Sequence, residues 1–175
     1  MALPEFKYHP DPIATGAVVQ SPEKCACCGQ ARGYVCTSTI YAEEDVEYIC
    51  PWCVADGSAA KKFEGTFVDD YPLIEAGLDE IIIKEVCERT PCYISWQQEH
   101  WETHCNDACE FHGDADIEDL KKLEGAALEK LLKENYYSQD EWKELLTCYK
   151  KGGDPAIYKF KCRKCGEVTF NMDLS

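Results

Sequence analysis

Cys25-Ala26-Cys27-Cys28-Gly29 and Cys50-Pro51-Trp52-Cys53 are the stretches on which the reading of this chain turns. Each offers two sulfurs three residues apart, and 21 residues separate Cys28 from Cys50. Two such pairs meeting head to head present four thiolates in a tetrahedron, the arrangement Zn²⁺ takes in structural sites. Cys27 is a spare thiol able to replace a neighbour. A third pair, Cys162-Arg163-Lys164-Cys165-Gly166, repeats the shape near the C-terminus. Gly29 and Gly166 each follow the second cysteine of a knuckle, where φ > 0 lets backbone N–H groups turn toward sulfur. Cys50-Pro51-Trp52-Cys53 also has the form of a disulfide oxidoreductase motif. No βαβ pattern surrounds it, however, and the upstream pair lies at metal spacing. One zinc ion is therefore expected at Cys25, Cys28, Cys50 and Cys53.

Cys162 and Cys165 need two further ligands for a second zinc. The segment from Trp96 to His112 is rich in candidates. Cys105 and Cys109 are four residues apart and would share one face of a helix, so they are the expected partners, with His104 and His112 as substitutes. His100 and His104 are also four apart, but Glu102 between them points off the shared face. This is not the H-E-x-x-H arrangement of a zinc protease. A hydrolase built on His100, His104 and Cys105 is the catalytic alternative, and it needs an open metal position that thiolate-rich sites usually lack.

The rest of the 175 residues supply a core as well as ligands, since 45% are apolar. Thirteen cysteines would suggest disulfides in a secreted protein. The N-terminal residues show no basic segment followed by an apolar run, and no stretch approaches the ~20 apolar residues of a membrane span. A cytoplasmic chain with reduced thiols is expected. The net charge is −15, with −9 of it in residues 62–113. Such a field repels phosphate backbones, which disfavours a zinc-ribbon nucleic-acid module, and attracts basic proteins. Asp69, Asp70, Asp79, Glu80, Glu85 and Glu88 are the expected partner-binding residues, with Glu75 among them. Solvated helix faces that confer solubility alone are the plain alternative.

The fold class read from these patterns is α+β, in three parts. Residues 1–61 form an extended N-terminus and four-cysteine lobe, with strand character over 34–41. Residues 62–113 form an acidic helical segment. A short helix at 58–63 leads into it, and it holds a loop around Asp69-Asp70-Tyr71-Pro72, a helix over 78–89 ended by Thr90-Pro91, and a second helix from Ser95 to about Cys105. Residues 114–175 carry a helix from Asp114 through Leu132 and a second capped at Ser138-Gln139-Asp140-Glu141. A zinc-ribbon-like hairpin of strands 157–161 and 168–172 closes the chain. The three parts are expected to pack as one compact unit.

The chain resembles the CbrC family of small bacterial proteins, some of whose members are linked to colicin tolerance. The likeness rests on Leu3-Pro4-x-Phe6-Lys7-Tyr8-His9-Pro10-Asp11-Pro12 with Gly16, and on Cys25-x-x-Cys28-Gly29. It continues through Tyr41-Ala42-Glu43-Glu44, Cys50-Pro51-Trp52-Cys53-x-Ala55-Asp56-Gly57-Ser58-Ala59, Thr90-Pro91-x-Tyr93 and Trp96-Gln97-Gln98. Trp101, His104-Cys105-x-Asp107 and Phe160-x-Cys162-x-x-Cys165-Gly166 complete it. Residues 114–150 lie outside these motifs. The resemblance implies tolerance to a protein toxin and carries over no catalytic residue. The expected function is a non-catalytic, zinc-stabilised acidic protein that binds a basic partner such as a toxin nuclease.

Overall fold

The computed structural model describes residues 2–175. Strand β1 (Val18–Gln20) pairs antiparallel with β2 (Tyr34–Cys36), in the register Val18↔Cys36. The strand expected over 34–41 is thus only three residues long, and Tyr41 meets Thr66 in an isolated bridge instead. Helix α1 (Pro51–Ala55) starts directly after Cys50, with Pro51 in the first turn, where a missing N–H costs nothing. Helix α2 (Ser58–Phe63) follows. The loop expected at Asp69–Pro72 is in part a short helix, α3 (Tyr71–Glu75), and α4 (Glu80–Arg89) ends where Thr90 turns extended before Pro91.

The helix expected from Ser95 to Cys105 does not form. Ser95-Trp96-Gln97-Gln98 carries a capping-box pattern, but the Asp173 carboxylate captures the Trp96 and Gln97 amides from 77 and 76 residues away. That acceptor holds the segment as a bend, and a tight hairpin of β3 (Thr103–His104) and β4 (Asp107–Ala108) follows. The helix expected through 114–132 is broken into α5 (Ile117–Lys121) and α6 (Gly125–Glu134). Asp119 of α5 is tied to Lys159 at 2.8 Å, and Gly125 enters α6 with φ 62. Helix α7 (Gln139–Cys148) has the expected cap: Glu141 N donates to Ser138 Oγ, and Ser138 N donates to the Glu141 carboxylate.

The strands β5 (Glu110–Asp114), β6 (Ala156–Lys161) and β7 (Val168–Asp173) form an antiparallel sheet in that order. Helices α5–α7 lie in the chain between β5 and β6. Side chains alternate across β6, so the sheet divides two cores. Ile157 and its cross-strand neighbour Met172 pack with Leu120, Leu131 and Trp142 of the helices. Tyr158 and Phe160 face the larger core, with Phe111, Tyr93 and the fully buried Trp101. Phe160 meets Trp101 and Phe111 edge to face at 5.7 and 5.2 Å, contacts that add about 0.5–1.5 kcal/mol each beyond area burial.

The N-terminal segment is locked onto this core by buried polar pairs. Tyr8 donates its hydroxyl to Asp107 at 2.7 Å. His9 has no exposed surface; its Nδ1 donates to the Pro91 carbonyl at 2.7 Å, which leaves Nε2 to accept from Thr15 Oγ1 at 2.6 Å. Both nitrogens are used by a neutral ring, and burial lowers the pKa from 6.5 to about 4. In the unfolded chain this imidazole takes up a proton near 6.5; in the folded chain it does so only near 4. The unfolded state therefore binds more protons in that window, and stability falls as pH drops through it, by up to about 3 kcal/mol. Denaturant melts at pH 7 and pH 4.5 should show that loss, and His9→Gln should be less stable at pH 7 but lose visibly less between the two values. An equal pH dependence in both proteins would remove His9 as the cause.

Candidate metal centres

The first knuckle is shaped by its backbone before any side chain enters. Gly29, at φ 71, closes the turn with its N–H on the Cys25 carbonyl at 2.7 Å. Lys62 of α2 reaches back to the Ala26 and Cys27 carbonyls at 2.7 and 3.0 Å. The second knuckle joins it by a backbone bond, Ala26 N to Tyr48 O at 2.9 Å, and Cys50 N donates to Cys25 Sγ at 3.2 Å. Cys25, Cys28, Cys50 and Cys53 are brought together, with their sulfurs all within 4.8 Å of one another and Cys28 to Cys50 at 3.9 Å. Cys25, Cys50 and Cys53 are buried and Cys28 is half-buried. Burial works to raise the Cys25 thiol, but amide donors from Cys50, Cys28 and Cys27 outweigh it and bring the pKa down to about 7. Burial pushes Cys50 up to about 11, and Cys53 higher still. Cys27 stands outside the set, with its sulfur 3.6 Å from Ser58 Oγ.

The second cluster repeats this construction with different parts. Gly166, at φ 78, donates to the Cys162 carbonyl at 3.0 Å, and Lys164 N donates to Cys162 Sγ at 3.4 Å. Opposite lies the two-residue turn of the β3–β4 hairpin, in which Cys105 (φ 54) and Asn106 (φ 53) are both left-handed. Both residues of such a type I′-like turn need φ > 0, which suits Asn and strains Cys. Lys164 Nζ binds the carbonyls of these same two residues at 3.0 and 3.1 Å, and so secures the turn. His104, Cys105, Cys162 and Cys165 then place one ligand atom each within 4.8 Å of the others. His104 Nδ1 lies 3.3 Å from both Cys105 Sγ and Cys165 Sγ, which are 3.8 Å apart. Burial tends to raise Cys162, yet donors from Cys165, His104 and Lys164 bring its pKa down to about 6. Cys105, against Cys165, rises to about 11.

Both donor sets fit a metal ion. A tetrahedral ion with metal–sulfur bonds of about 2.3 Å holds its sulfurs about 3.8 Å apart. One sulfur pair in each set, Cys28–Cys50 at 3.9 Å and Cys105–Cys165 at 3.8 Å, matches that edge and is far too long for a disulfide. All thirteen cysteines are free thiols. In each set one cysteine, Cys25 or Cys162, is predisposed to ionise, and its neighbours lose their protons as a cation binds.

The structure differs from the expected second site at one ligand. Cys109 is fully buried beyond β4, its thiol raised to about 12 by burial, and its carbonyl accepts the Trp101 indole N–H at 2.9 Å. It belongs to the core, and His104 stands in its place. The helical spacing assumed for Cys105 and Cys109 fails because a hairpin replaces the helix; Asn106, a favoured residue for that turn, was the available signal. His100 also lies outside the cluster, half-exposed and 3.7 Å from Glu102. His112 sits 3.3 Å from Glu110. Among the acidic residues, Glu80 pairs with Lys84 at 2.6 Å, Glu85 with Arg89 at 3.6 Å, and Asp69 accepts from Gln98 and the Tyr71 amide. Asp70 and Asp79 are exposed, Glu88 is half-exposed, and none of the three has a cation partner among the described residues.

Comparison with known proteins adds a family. The profile described as "Uncharacterised protein family (UPF0167)" matches residues 3–174, and so spans residues 114–150, which the quoted motifs leave out. A UPF0167 protein of Pseudomonas aeruginosa is 46% identical over 175 residues, covering 99% of this chain and 98% of its own. UPF0167 proteins of Mycobacterium bovis and Mycobacterium tuberculosis are each 39% identical over 167 residues, covering 94% of this chain and 89% of theirs. No solved structure matches. Among the described residues no helix is long and apolar enough to cross a membrane.

The two clusters differ in exposure, since Cys105 and Cys165 are open to solvent while three of the four thiols in the first set are buried. Freshly purified protein should carry two metal equivalents, and a chelator should remove one much faster than the other. His104→Ala and Cys165→Ser should each abolish the fast equivalent, whereas His100→Ala should keep both. Cys50→Ser should remove the slow equivalent and lower the melting temperature. Elemental analysis below one equivalent, or a His104→Ala protein that still binds two, would refute the assignment.

Proposed function

The chain belongs to the UPF0167 family, and we propose that it is a non-catalytic binding protein, stabilised by two zinc ions, which presents an acidic surface to a basic protein partner. The observation that carries the first half is the pair of four-donor clusters, one of four thiolates and one of three thiolates and an imidazole. Closed sites of this composition suit structural zinc, and softer thiolate sites in general suit Zn²⁺, Cu(I) or iron–sulfur centres. In this role Cys25, Cys28, Cys50 and Cys53 hold one ion, and His104, Cys105, Cys162 and Cys165 the other. Each would tie two distant segments and contribute its binding free energy to folding. A complete donor set leaves no protein-provided opening for a reactive water, which weighs against a hydrolase on His100, His104 and Cys105.

The acidic middle third supports the second half. Ion pairing to Lys84 and Arg89 reduces the contribution of Glu80 and Glu85, so Asp70, Asp79 and Glu88 are the stronger candidates for a partner. Tyr71, Ile74 and Ile81 lie exposed between these acids in the chain, at 65%, 55% and 83%. Exposed apolar groups among charges are what a docking surface offers and what mere solubility does not require. The sequence resemblance to the CbrC family, with its link to colicin tolerance, supports a toxin domain as that partner.

Metal analysis should return zinc, and cobalt substitution should give thiolate-to-metal bands typical of tetrahedral sites. A partner captured from the host should associate several-fold more slowly as salt rises from about 0.01 M to 0.15 M, since the Debye length shrinks from about 30 Å to about 8 Å. Triple reversal of Asp70, Asp79 and Glu88 to lysine should slow association further without loss of metal or of the melting transition. An association rate indifferent to both salt and reversal would sink the acidic-surface model and leave the zinc assignment standing.

A further inference from the structure

A pocket of about 250 Å³ lies away from both metal clusters, between the bend at 93–96 and the β5–β6 edge. Four aromatic residues line it: Tyr93, Trp96, Phe111 and Tyr158. Tyr93 stacks on Phe111 at 4.3 Å and tilts against Tyr158 at 4.6 Å. Trp96 stands at the rim, 55% exposed, and its position is set at both ends. Its backbone amide is held by Asp173, and its indole N–H donates to the Gly153 carbonyl at 3.2 Å. The same carboxylate that prevents a helix at Ser95 therefore seats the fourth ring.

One carboxylate enters this aromatic setting, that of Asp114. Phe111 and Asp114 are three apart on β5 and would point to opposite faces of a regular strand. The register shift between them, with Gly113 at φ 84, changes the parity and brings both to the pocket. A side chain at 113 would be strained by that φ and would press Thr15 Cγ2 at 3.3 Å. Asp114 has no ion pair among the described residues. Lys151 is near enough to influence it, but its ammonium is engaged by Asp116 at 2.9 Å. Burial raises the Asp114 pKa, with Lys151 and backbone amides opposing, so the anion sits where water solvates it poorly. Two hydroxyls of the lining are held in place by their own bonds: Tyr158 donates to the Ile94 carbonyl at 3.1 Å, and Thr15 to His9.

From this arrangement we infer that Tyr93, Trp96, Phe111, Tyr158 and Asp114 form a binding site for a small alkylated ammonium group. Aromatic rings attract a cation through their quadrupoles, with the exposed Trp96 the ring most open to it because Tyr93 and Phe111 stack on each other, and a nearby carboxylate adds a full charge. The aromatic share of the lining selects among cations. A primary ammonium would have to give up the water around three N–H donors, whereas a quaternary nitrogen has none to satisfy and meets the rings with its methyl groups. The volume lies just under the roughly 300–1,000 Å³ of sites for drug-sized ligands, so it takes a headgroup and not an extended molecule. The site uses neither metal cluster and does not depend on the acidic surface of α3 and α4.

The test compares choline with its neutral isostere, 3,3-dimethylbutan-1-ol, on the metal-loaded full chain. The indole N–H resonance of Trp96, identified by its loss in Trp96→Ala, should shift saturably with choline at a Kd in about the millimolar range, as fits a headgroup alone. The isostere should bind at least about tenfold more weakly. Asp114→Asn should weaken choline by a similar factor, with its spectrum otherwise unchanged. Equal binding of cation and isostere, no saturable shift, or wild-type affinity in a folded Asp114→Asn protein would each overturn the assignment. The comparison of the two ligands on the unmodified protein decides the matter even where a variant fails to fold.

Discussion

Four ligand atoms held within 4.8 Å of one another, in two places, are the constraint on which the rest of this structure depends. Thiolates so close repel once ionised, and a cation among them turns that repulsion into attraction. Each cluster joins knuckles far apart in the chain. Cys105 and Cys165 are 60 residues apart yet touch at 3.8 Å, and Cys25 meets the Cys50 amide across 25 residues. Short loops and tight turns, with little regular structure of their own, acquire fixed geometry from these junctions. Strands β1–β4 beside them are only two or three residues long, too short to be stable by pairing alone.

Buried acids supply a second layer of ties. Asp107 lies two residues beyond Cys105 and accepts from Tyr8; Arg163, next to Cys162, approaches it at 3.8 Å. The N-terminal arm, the hairpin and the C-terminal knuckle thus share one carboxylate. Glu99 plays a similar part, accepting from Tyr41 and from the Asp69 amide at 2.7 and 2.9 Å. Asp173 gathers Trp96, Gln97 and Tyr158. Each of these bonds joins residues at least 15 positions apart, and the loss of one partner strands a buried charge, which costs more than the bond itself contributes. These three carboxylates are therefore architectural and are not among the acids free to meet a partner.

The sheet separates the consequences. One face, with Ile157 and Met172, receives the helical excursion between β5 and β6. The other, with Tyr158 and Phe160, closes the aromatic core. The aromatic pocket opens at the edge of that second face, where the bulge in β5 redirects Asp114. The second cluster, the core packing and the pocket thus occupy different parts of one antiparallel sheet and its flanking loops, while the first cluster lies off it beside β2 and α1.

What the residues alone determined follows from short-range physics. The C-x-x-C spacing places paired sulfurs on one knuckle whatever surrounds them, so the convergence of Cys25, Cys28, Cys50 and Cys53 was legible, as was a sulfur pair at Cys162 and Cys165. The Ser138–Glu141 cap and the strands around the last knuckle depend on neighbours within a few positions, and they too could be read directly. Tertiary structure decided what local pattern left balanced. A capping-box sequence at Ser95 lost to a carboxylate 77 residues from Trp96, because a buried acceptor must be satisfied and a short helix is marginal by itself. With that helix gone, Cys109 went to the core and His104 took its place in the four-atom cluster, a choice made by the geometry of a two-residue turn and the lysine that braces it. The aromatic pocket was hidden for the same reason: its rings and its acid come from segments that only folding, and one bulge, bring to a common face.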